Sequence, residues 1–336
     1  MITDFRALTR RSCLRAAAGL LATPVLAQTV PGGGTATATA AAAAAADGKP
    51  AEASAPADGK TPVGPQFCLF TKHLLGMSFD QLAAHAAELD IPGLEAPIRP
   101  GGHVEPERIE EDLPKLVEAL TKAGRHLSIL TSGISKVSKD QFTERVLRTA
   151  KSQGIPFYRM NWWRYDLKKP IPPQLENFRA QAKDLIALSR EIGIRPLYQN
   201  HKGAEMVGSP VWDVASLMKD HAPEDWGFAF DIMHASVEGG TNWPLQYHMA
   251  RERIGAALFK DFTWRDRRTT VSCPLGEGFA GAPEYAKLLR QSGFNGPVVL
   301  HIEYLPAVKI TSSAEATAAL NAGRRDFAKL REFWAA

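Results

Sequence analysis

The sequence predicts a single (β/α)8 barrel over residues 66–336, and three observations carry that prediction. Short apolar runs alternate with longer amphipathic segments, and the alternation can be followed eight times in about the length one such barrel needs. Several amphipathic segments are closed by glycine, at Gly124, Gly154, Gly193 and Gly293, as left-handed helix caps prefer. Polar and ionisable residues gather just beyond the apolar runs, and in a parallel barrel those ends form the one mouth where ligands bind.

Before the barrel come two other segments. Residues 1–27 contain Thr9-Arg10-Arg11-Ser12-Cys13-Leu14-Arg15, then an apolar run that ends Val25-Leu26-Ala27. A basic start, a short hydrophobic stretch and a small-residue end make an export signal, and the paired arginines point to the twin-arginine route. The run is too short to span a bilayer comfortably, so no stable membrane insertion is expected once the signal is cleaved. Residues 28–65 are rich in Ala, Gly, Thr and Pro, with an unbroken alanine run from position 40 to 46. With no apolar stripe to dock on anything, they read as a disordered tether.

The signal also carries most of the basicity. The whole chain has a formal net charge of +4, and loss of residues 1–27 removes four arginines and one aspartate, leaving about +1. Bulk charge therefore gives no support to a polyanion-binding surface, and no nucleic-acid partner is expected. Cys68 and Cys273 remain in the mature chain and read as two free thiols, because one opens a strand and the other lies beyond the far end of another.

Within the barrel the strand candidates are residues 67–71, 93–98, 126–131, 157–161, 195–199, 227–231, 256–261 and 298–303. Helical periodicity is clearest over 109–123, 141–152, 175–192, 284–291 and 313–333. Strand, helix, strand at this period implies a parallel sheet, and eight repeats imply closure.

The strand ends supply the candidate site. Strand six, Gly227-Phe-Ala-Phe-Asp231, delivers a carboxylate and then His234, with Gly239-Gly240 turning the chain toward a new helix. Alone, this pair reads equally well as a capping aspartate and a satisfied loop histidine. Strand two runs into a proline- and glycine-rich stretch holding Arg99 and His103, which is either part of the mouth or a rigid solvated loop. Strand four ends with Arg159, Asn161, Trp162 and Trp163; an aromatic face beside an arginine suits a sugar ring, although one of the two tryptophans is expected to pack. Strands five, seven and eight end with Gln199-Asn200-His201, Lys260-Asp261 and His301-Ile302-Glu303. Because strand side chains alternate, Gln199, Asp231, Lys260 and Glu303 converge at one rim. Such a set could hold a divalent ion such as Mn²⁺, Mg²⁺ or Zn²⁺, or form a purely hydrogen-bonding sugar site.

These motifs, with Pro-Leu-Gly-Glu-Gly at 274–278 and His-Ile-Glu-Tyr at 301–304, resemble the xylose-isomerase-like TIM-barrel superfamily, the sugar phosphate isomerase/epimerase group, and within it an exported branch. The resemblance covers most of residues 66–336. It implies four metal ligands, Glu, Asp, His and Glu, which fall here on Gln199, Asp231, Leu258 and Glu303. Two positions depart from the pattern. The expected metal set is accordingly Asp231 and Glu303 with help from Gln199 and His201, or from His234.

The resemblance implies an exported carbohydrate-active isomerase or epimerase that removes a proton alpha to a sugar carbonyl. Glu303 is its expected base, Lys260 and His234 its electrophiles or proton donors, and Gln199, His201, Arg159, Trp162, Arg99 and His103 its substrate contacts. Either His201 or His301 supplies any second acid–base group, since the amide of Gln199 cannot. Gln199→Glu is expected to spare folding and to favour epimerisation. A lyase acting on keto-sugars or keto-glycosides is the close alternative. A non-catalytic sugar-binding barrel follows if Leu258 marks a lost site. A DNA-repair endonuclease on the same barrel is disfavoured by the mature charge and the export signal. The partner expected is a small sugar or sugar derivative, and a homo-oligomer is left open.

Overall fold

The computed structural model describes residues 65–305 and 309–336. The residues read as an export signal, and those read as a tether apart from Pro65, lie outside the described residues. Eight parallel strands close into a barrel: β1 (Gln66–Phe70), β2 (Gly93–Ile98), β3 (His126–Ser132), β4 (Phe157–Arg159), β5 (Arg195–Gln199), β6 (Gly227–Asp231), β7 (Ile254–Phe259) and, after a hairpin, β10 (Pro297–His301). Each strand pairs with its neighbour in sequence, and β10 returns to β1 with Val298 opposite Phe67. The hairpin β8 (Asp261–Trp264) and β9 (Thr270–Cys273) stands apart from the barrel as a two-stranded antiparallel ribbon.

The barrel is wrapped by helices α1 (Phe79–Glu88), α2 (Ile109–Lys122), α3 (Thr143–Ser152), α4 (Ile171–Ile192), α5 (Trp212–Met218), α6 (Ile232–Gly239), α7 (Trp243–Ala250), α8 (Ala282–Gln291) and α9 (Ser313–Ala335). Helix starts are written in the sequence: Ser78 and Ser312 each close a capping box, with Gln81 and Glu315 reaching back. Helix ends are written there too, since Gly124, Gly154, Gly193 and Gly293 all adopt left-handed backbone at φ +68°, +75°, +79° and +70°.

Two layers of core follow from strand alternation. Outward-facing residues such as Leu69, Leu94, Tyr158, Tyr198 and Phe230 pack against the helices. Inward-facing Cys68, Phe70, Ile129, Leu197, Ala229, Ala256, Leu258 and Val299 fill the barrel's interior as a separate apolar plug. Cys68 and Cys273 are both free thiols, as expected. No helix among the described residues is long and apolar enough to cross a membrane.

Strands two, five and six keep the bounds read from sequence, whereas strand four stops at Arg159 and strand eight at His301, so Asn161 and Glu303 lie just beyond their strands; two further local expectations also need correction. Strand seven stops at Phe259, and Asp261 opens the hairpin instead of ending the strand. The chain also enters α6 directly at Ile232, so His234 lies in the first turn of a helix and not in a loop, and Gly239-Gly240 separates α6 from α7. Helix α6 escaped periodicity because its first five residues are all buried, which leaves no polar face to alternate with the apolar one.

Candidate active site

At the carboxyl ends of the strands the inward positions turn polar, and their side chains join in a closed circuit around the mouth. Glu95 of β2 accepts from Arg159 Nε of β4 at 2.6 Å and from Thr131 Oγ1 of β3. Arg159 also donates through Nη1 to Gln199 Oε1 of β5 and through Nη2 to Thr131 Oγ1 at 3.2 Å. Gln199 Nε2 donates to Asp231 Oδ2 of β6 at 2.7 Å. Lys260, just beyond β7, sets its Nζ 3.2 Å from Asp231 Oδ2 and 3.3 Å from Glu303 Oε2. His301 of β10 closes the ring, its Nε2 3.4 Å from Glu95 Oε2 and its Nδ1 3.8 Å from Glu303 Oε1. The remaining strand, β1, contributes Phe70, whose ring lies 4.5 Å from the His301 ring and 4.8 Å from the Arg159 guanidinium carbon.

Arginine and lysine can only donate, and carboxylates can only accept, so the circuit fixes the orientation of the one ambiguous member. Gln199 must turn its oxygen to Arg159 and its nitrogen to Asp231. Asp231 is equally committed: Oδ1 accepts the backbone N–H of His234 at 3.1 Å as the cap of α6, and its own N–H and C=O are clamped by Asn200 at 2.7 and 3.0 Å. Asp231 is therefore both the helix cap and a member of the site. Asn200 was visible in the Gln-Asn-His motif but had no assigned role, because only the strand pairing shows that it ties β5 to β6.

Burial and charge set the electrostatics. Burial alone would raise the pKa of Glu95, but Arg159, His301 and Thr131 outweigh it and bring the carboxyl down to about 2. Burial likewise works against ionised Glu303, and Lys260 and His301 reverse it, holding that carboxyl well below the usual range. Lys260 loses solvation yet is held charged by Asp231 and Glu303, above the ordinary lysine range. The side chain of Glu303 is 28% exposed and that of Lys260 only 3%, whereas Glu95 and Asp231 are fully buried. Glu303 is thus the carboxylate of the ring that faces the open mouth.

Beside the ring lies a short aromatic stack. Trp162 sits 4.6 Å from the His201 ring, which sits 3.9 Å from the His234 ring. Burial, then the charge of Lys260, lowers the His201 pKa to about 4 and pushes His234 well below its ordinary value, so both rings are neutral near pH 7. His201 Nδ1 lies 2.9 Å from the Lys202 carbonyl, which fixes its ring. Neither ring nitrogen of His234 has a hydrogen-bond partner. Trp163 is the packing member of the tryptophan pair, buried against Phe178, Tyr198 and Trp226.

Several expected roles change. Arg159 and Gln199 are buried and have their polar atoms engaged inside the ring, where they hold the mouth in shape. His103 Nε2 lies 3.1 Å from the Thr71 carbonyl, which ties its loop to β1. Arg99 is half-buried near Arg159, Glu95 and Glu303. The expected metal set of Asp231, Glu303, Gln199 and His201 does not assemble: Lys260 stands between the two carboxylates, Gln199 offers Asp231 its nitrogen, and His201 is drawn into the aromatic stack. Leu258 is buried in the interior plug and has no donor atom. Among the described residues no group of three or more His, Cys, Asp or Glu side chains is arranged to hold a metal ion, so the residues present do not fit one.

The sequence profile of the xylose isomerase-like TIM barrel family matches residues 83–323. Solved structures share the architecture. A xylose isomerase domain protein from Planctomyces limnophilus is 16% identical, with a TM-score of 0.59 over 81% of this chain and 98% of its own. D-psicose 3-epimerase, solved in the presence of D-fructose, is 15% identical, with a TM-score of 0.60 over 81% and 100%. The 3-keto-D-glucoside 4-epimerase of E. coli is 14% identical, with a TM-score of 0.57 over 80% and 100%. A search of curated proteins finds no match. At such identities the solved structures speak for the barrel alone. The profile match, spanning most of the barrel from α1 into α9, makes this chain a member of the xylose isomerase-like TIM barrel family.

Proposed function

We infer that the chain is an exported sugar isomerase or epimerase whose reaction begins when Glu303 removes a proton next to a sugar carbonyl. The observation that carries this reading is the position of Glu303: it is the partly exposed carboxylate of an otherwise buried ring, kept ionised by Lys260 and His301. A base must touch the carbon acid it deprotonates, and Glu95 and Asp231 lie too deep to do so. Solved epimerases of D-psicose and of a 3-keto-D-glucoside on the same barrel support the same substrate class.

The surroundings suit a sugar. Trp162 offers an aromatic face at the rim, and His201, the partly exposed imidazole of the stack, is neutral and can donate or accept a proton. Of the two imidazoles near the ring, His301 is buried beside Glu303 and cannot touch substrate, which leaves His201 as the imidazole able to contact one.

Elimination from a keto-glycoside would start with the same proton abstraction, which keeps a lyase as the second reading. One experiment separates the possibilities: incubation with ketoses, aldoses and keto-glycosides in deuterated water, followed by NMR. Deuterium entering the carbon next to the carbonyl, with an isomeric product, supports the isomerase. An unsaturated product identifies a lyase, and sugar binding with no exchange identifies a binding protein. Export is tested by locating the chain in fractionated cells, where replacing Arg10 and Arg11 by lysine should retain it inside.

A further inference from the structure

We propose that the ε-ammonium of Lys260 is the resident cation of this site, standing where a divalent ion would otherwise be needed, so that the chain works without a metal. The proposal rests on the isomerase reading for what the cation does, but not for where it is. Its place is set by distance: Nζ lies 3.2 Å from Asp231 and 3.3 Å from Glu303, in the gap between the two carboxylates that could share an ion. An ion entering that gap would meet a buried positive charge with nowhere to retreat, since the Lys260 side chain is 3% exposed.

The rest of the donor set agrees. Asp231 Oδ1 is taken by the α6 backbone, and its Oδ2 by Gln199 and Lys260. Gln199 could offer an ion only its oxygen, and that oxygen faces Arg159, a second fixed cation. Two residues before Lys260, on the same strand face, Leu258 points an alkyl chain into the interior plug. The positions that would complete a metal shell have become an amide, an alkyl group and an ammonium, and the ammonium balances the charge that the missing ion would have balanced.

The chemistry closes without a further reagent. Glu303 takes the proton from a carbon beside the sugar carbonyl, and the electron pair of that C–H bond moves onto the carbonyl oxygen. Lys260, which had faced the Glu303 carboxylate, now faces the new oxyanion, so the positive charge follows the negative one across the reacting atoms. Lys260 gives that oxygen a proton and takes one from the neighbouring hydroxyl. The proton on Glu303 exchanges with solvent at the open mouth, where its side chain is 28% exposed, and Glu303 then delivers a proton to the former carbonyl carbon, which leaves the isomeric carbonyl and restores both side chains.

The test uses the full chain, treated with a chelator, and two independent readouts. Titration with Mn²⁺ and with Zn²⁺ in a calorimeter should show no binding by the wild type below millimolar concentration. Sugar C–H exchange in deuterated water should be the same with chelator and with added Mn²⁺. Lys260→Met leaves two carboxylates facing an uncharged gap, so it should gain Mn²⁺ affinity by about tenfold or more while losing exchange by about a hundredfold. Micromolar Mn²⁺ binding by the wild type that Asp231→Asn abolishes, or exchange that appears only with added metal, would overturn the proposal. Circular dichroism checks that Lys260→Met is folded; if it is not, the wild-type titration decides. If no sugar exchanges under any condition the isomerase reading falls, and the titration still decides which cation the site holds.

Discussion

Gln199 donates its amide nitrogen to Asp231 Oδ2 across 2.7 Å, inside a barrel where neither side chain meets solvent. The contact reverses one expectation. Gln199→Glu would set a carboxylate against a buried carboxylate, and one of the two would have to hold a proton at neutral pH. Arg159, which bonds the far oxygen, offsets only part of this. The substitution should cost about 2 kcal/mol and lower the melting temperature by several degrees. Thermal denaturation at pH 7 checks it, and a variant as stable as wild type would mean that the ring absorbs the charge.

Arg159 holds the opposite arc of the ring, with Glu95 beside it and both side chains buried. Arg159→Met leaves that carboxylate unpaired, and removing one partner of a buried pair costs about 3–5 kcal/mol. Chemical denaturation should show this loss. Glu95→Gln combined with Arg159→Met should recover part of it, because the double variant leaves no orphaned charge.

Acid should weaken the fold before it titrates the ring. Burial presses His73, 6% exposed beside β1, down to a pKa of about 3 from its ordinary 6.5. Below pH 6.5 the unfolded chain therefore binds a proton that the folded chain refuses. Each such histidine removes up to about 1.4 kcal/mol per pH unit until the pH reaches its folded value. Glu95 acts in the same direction lower down: its contribution is complete above pH 4.5 and is lost as the pH falls toward 2. Melting temperatures should drop between pH 7 and pH 5, and His73→Gln should make that drop shallower. Equal melting temperatures at the two pH values would contradict the burial argument.

Glu303 is the member of the ring that can be changed with least structural cost, because its side chain is partly exposed. Glu303→Gln should keep the melting temperature within a few degrees and reduce sugar C–H exchange by about 10²–10⁴-fold. Inverted product that still carries solvent deuterium in this variant would assign the base to another residue.

The barrel could be read from sequence because its signals are local. Strands 93–98, 195–199 and 227–231 have the same bounds in the structure, and the terminal glycines adopt the backbone their positions require. The site could be read only in part. Alternation brings Gln199, Asp231, Lys260 and Glu303 to one rim, but spacing along a strand does not say which polar group meets which across the barrel. Glu95 was passed over as the lone polar residue of an apolar strand, and Thr131 as one of several small polar residues in its strand. Their purpose appears only with Arg159 between them. The hairpin β8–β9 had no local signal that would distinguish it from a long loop.

Asp261 explains how that hairpin is held. Its carboxylate accepts four backbone N–H groups, from Phe262, Gly276, Gly278 and Ala280, at 2.9 to 3.0 Å. Gly278 lies so close that a Cβ there would come within 2.3 Å of Asp261 Oδ1, which is the structural meaning of the Pro-Leu-Gly-Glu-Gly motif. One side chain thus gathers both ends of the excursion from Asp261 to Ala280, which starts beside Lys260. An excursion fastened at its own base can be lengthened, shortened or exchanged at its tip without disturbing the strands below. The segment that leaves the mouth just beyond Lys260 is therefore also the one freest to diversify, and grafting new tips between Trp264 and Thr270 offers a way to alter that excursion on an unchanged barrel.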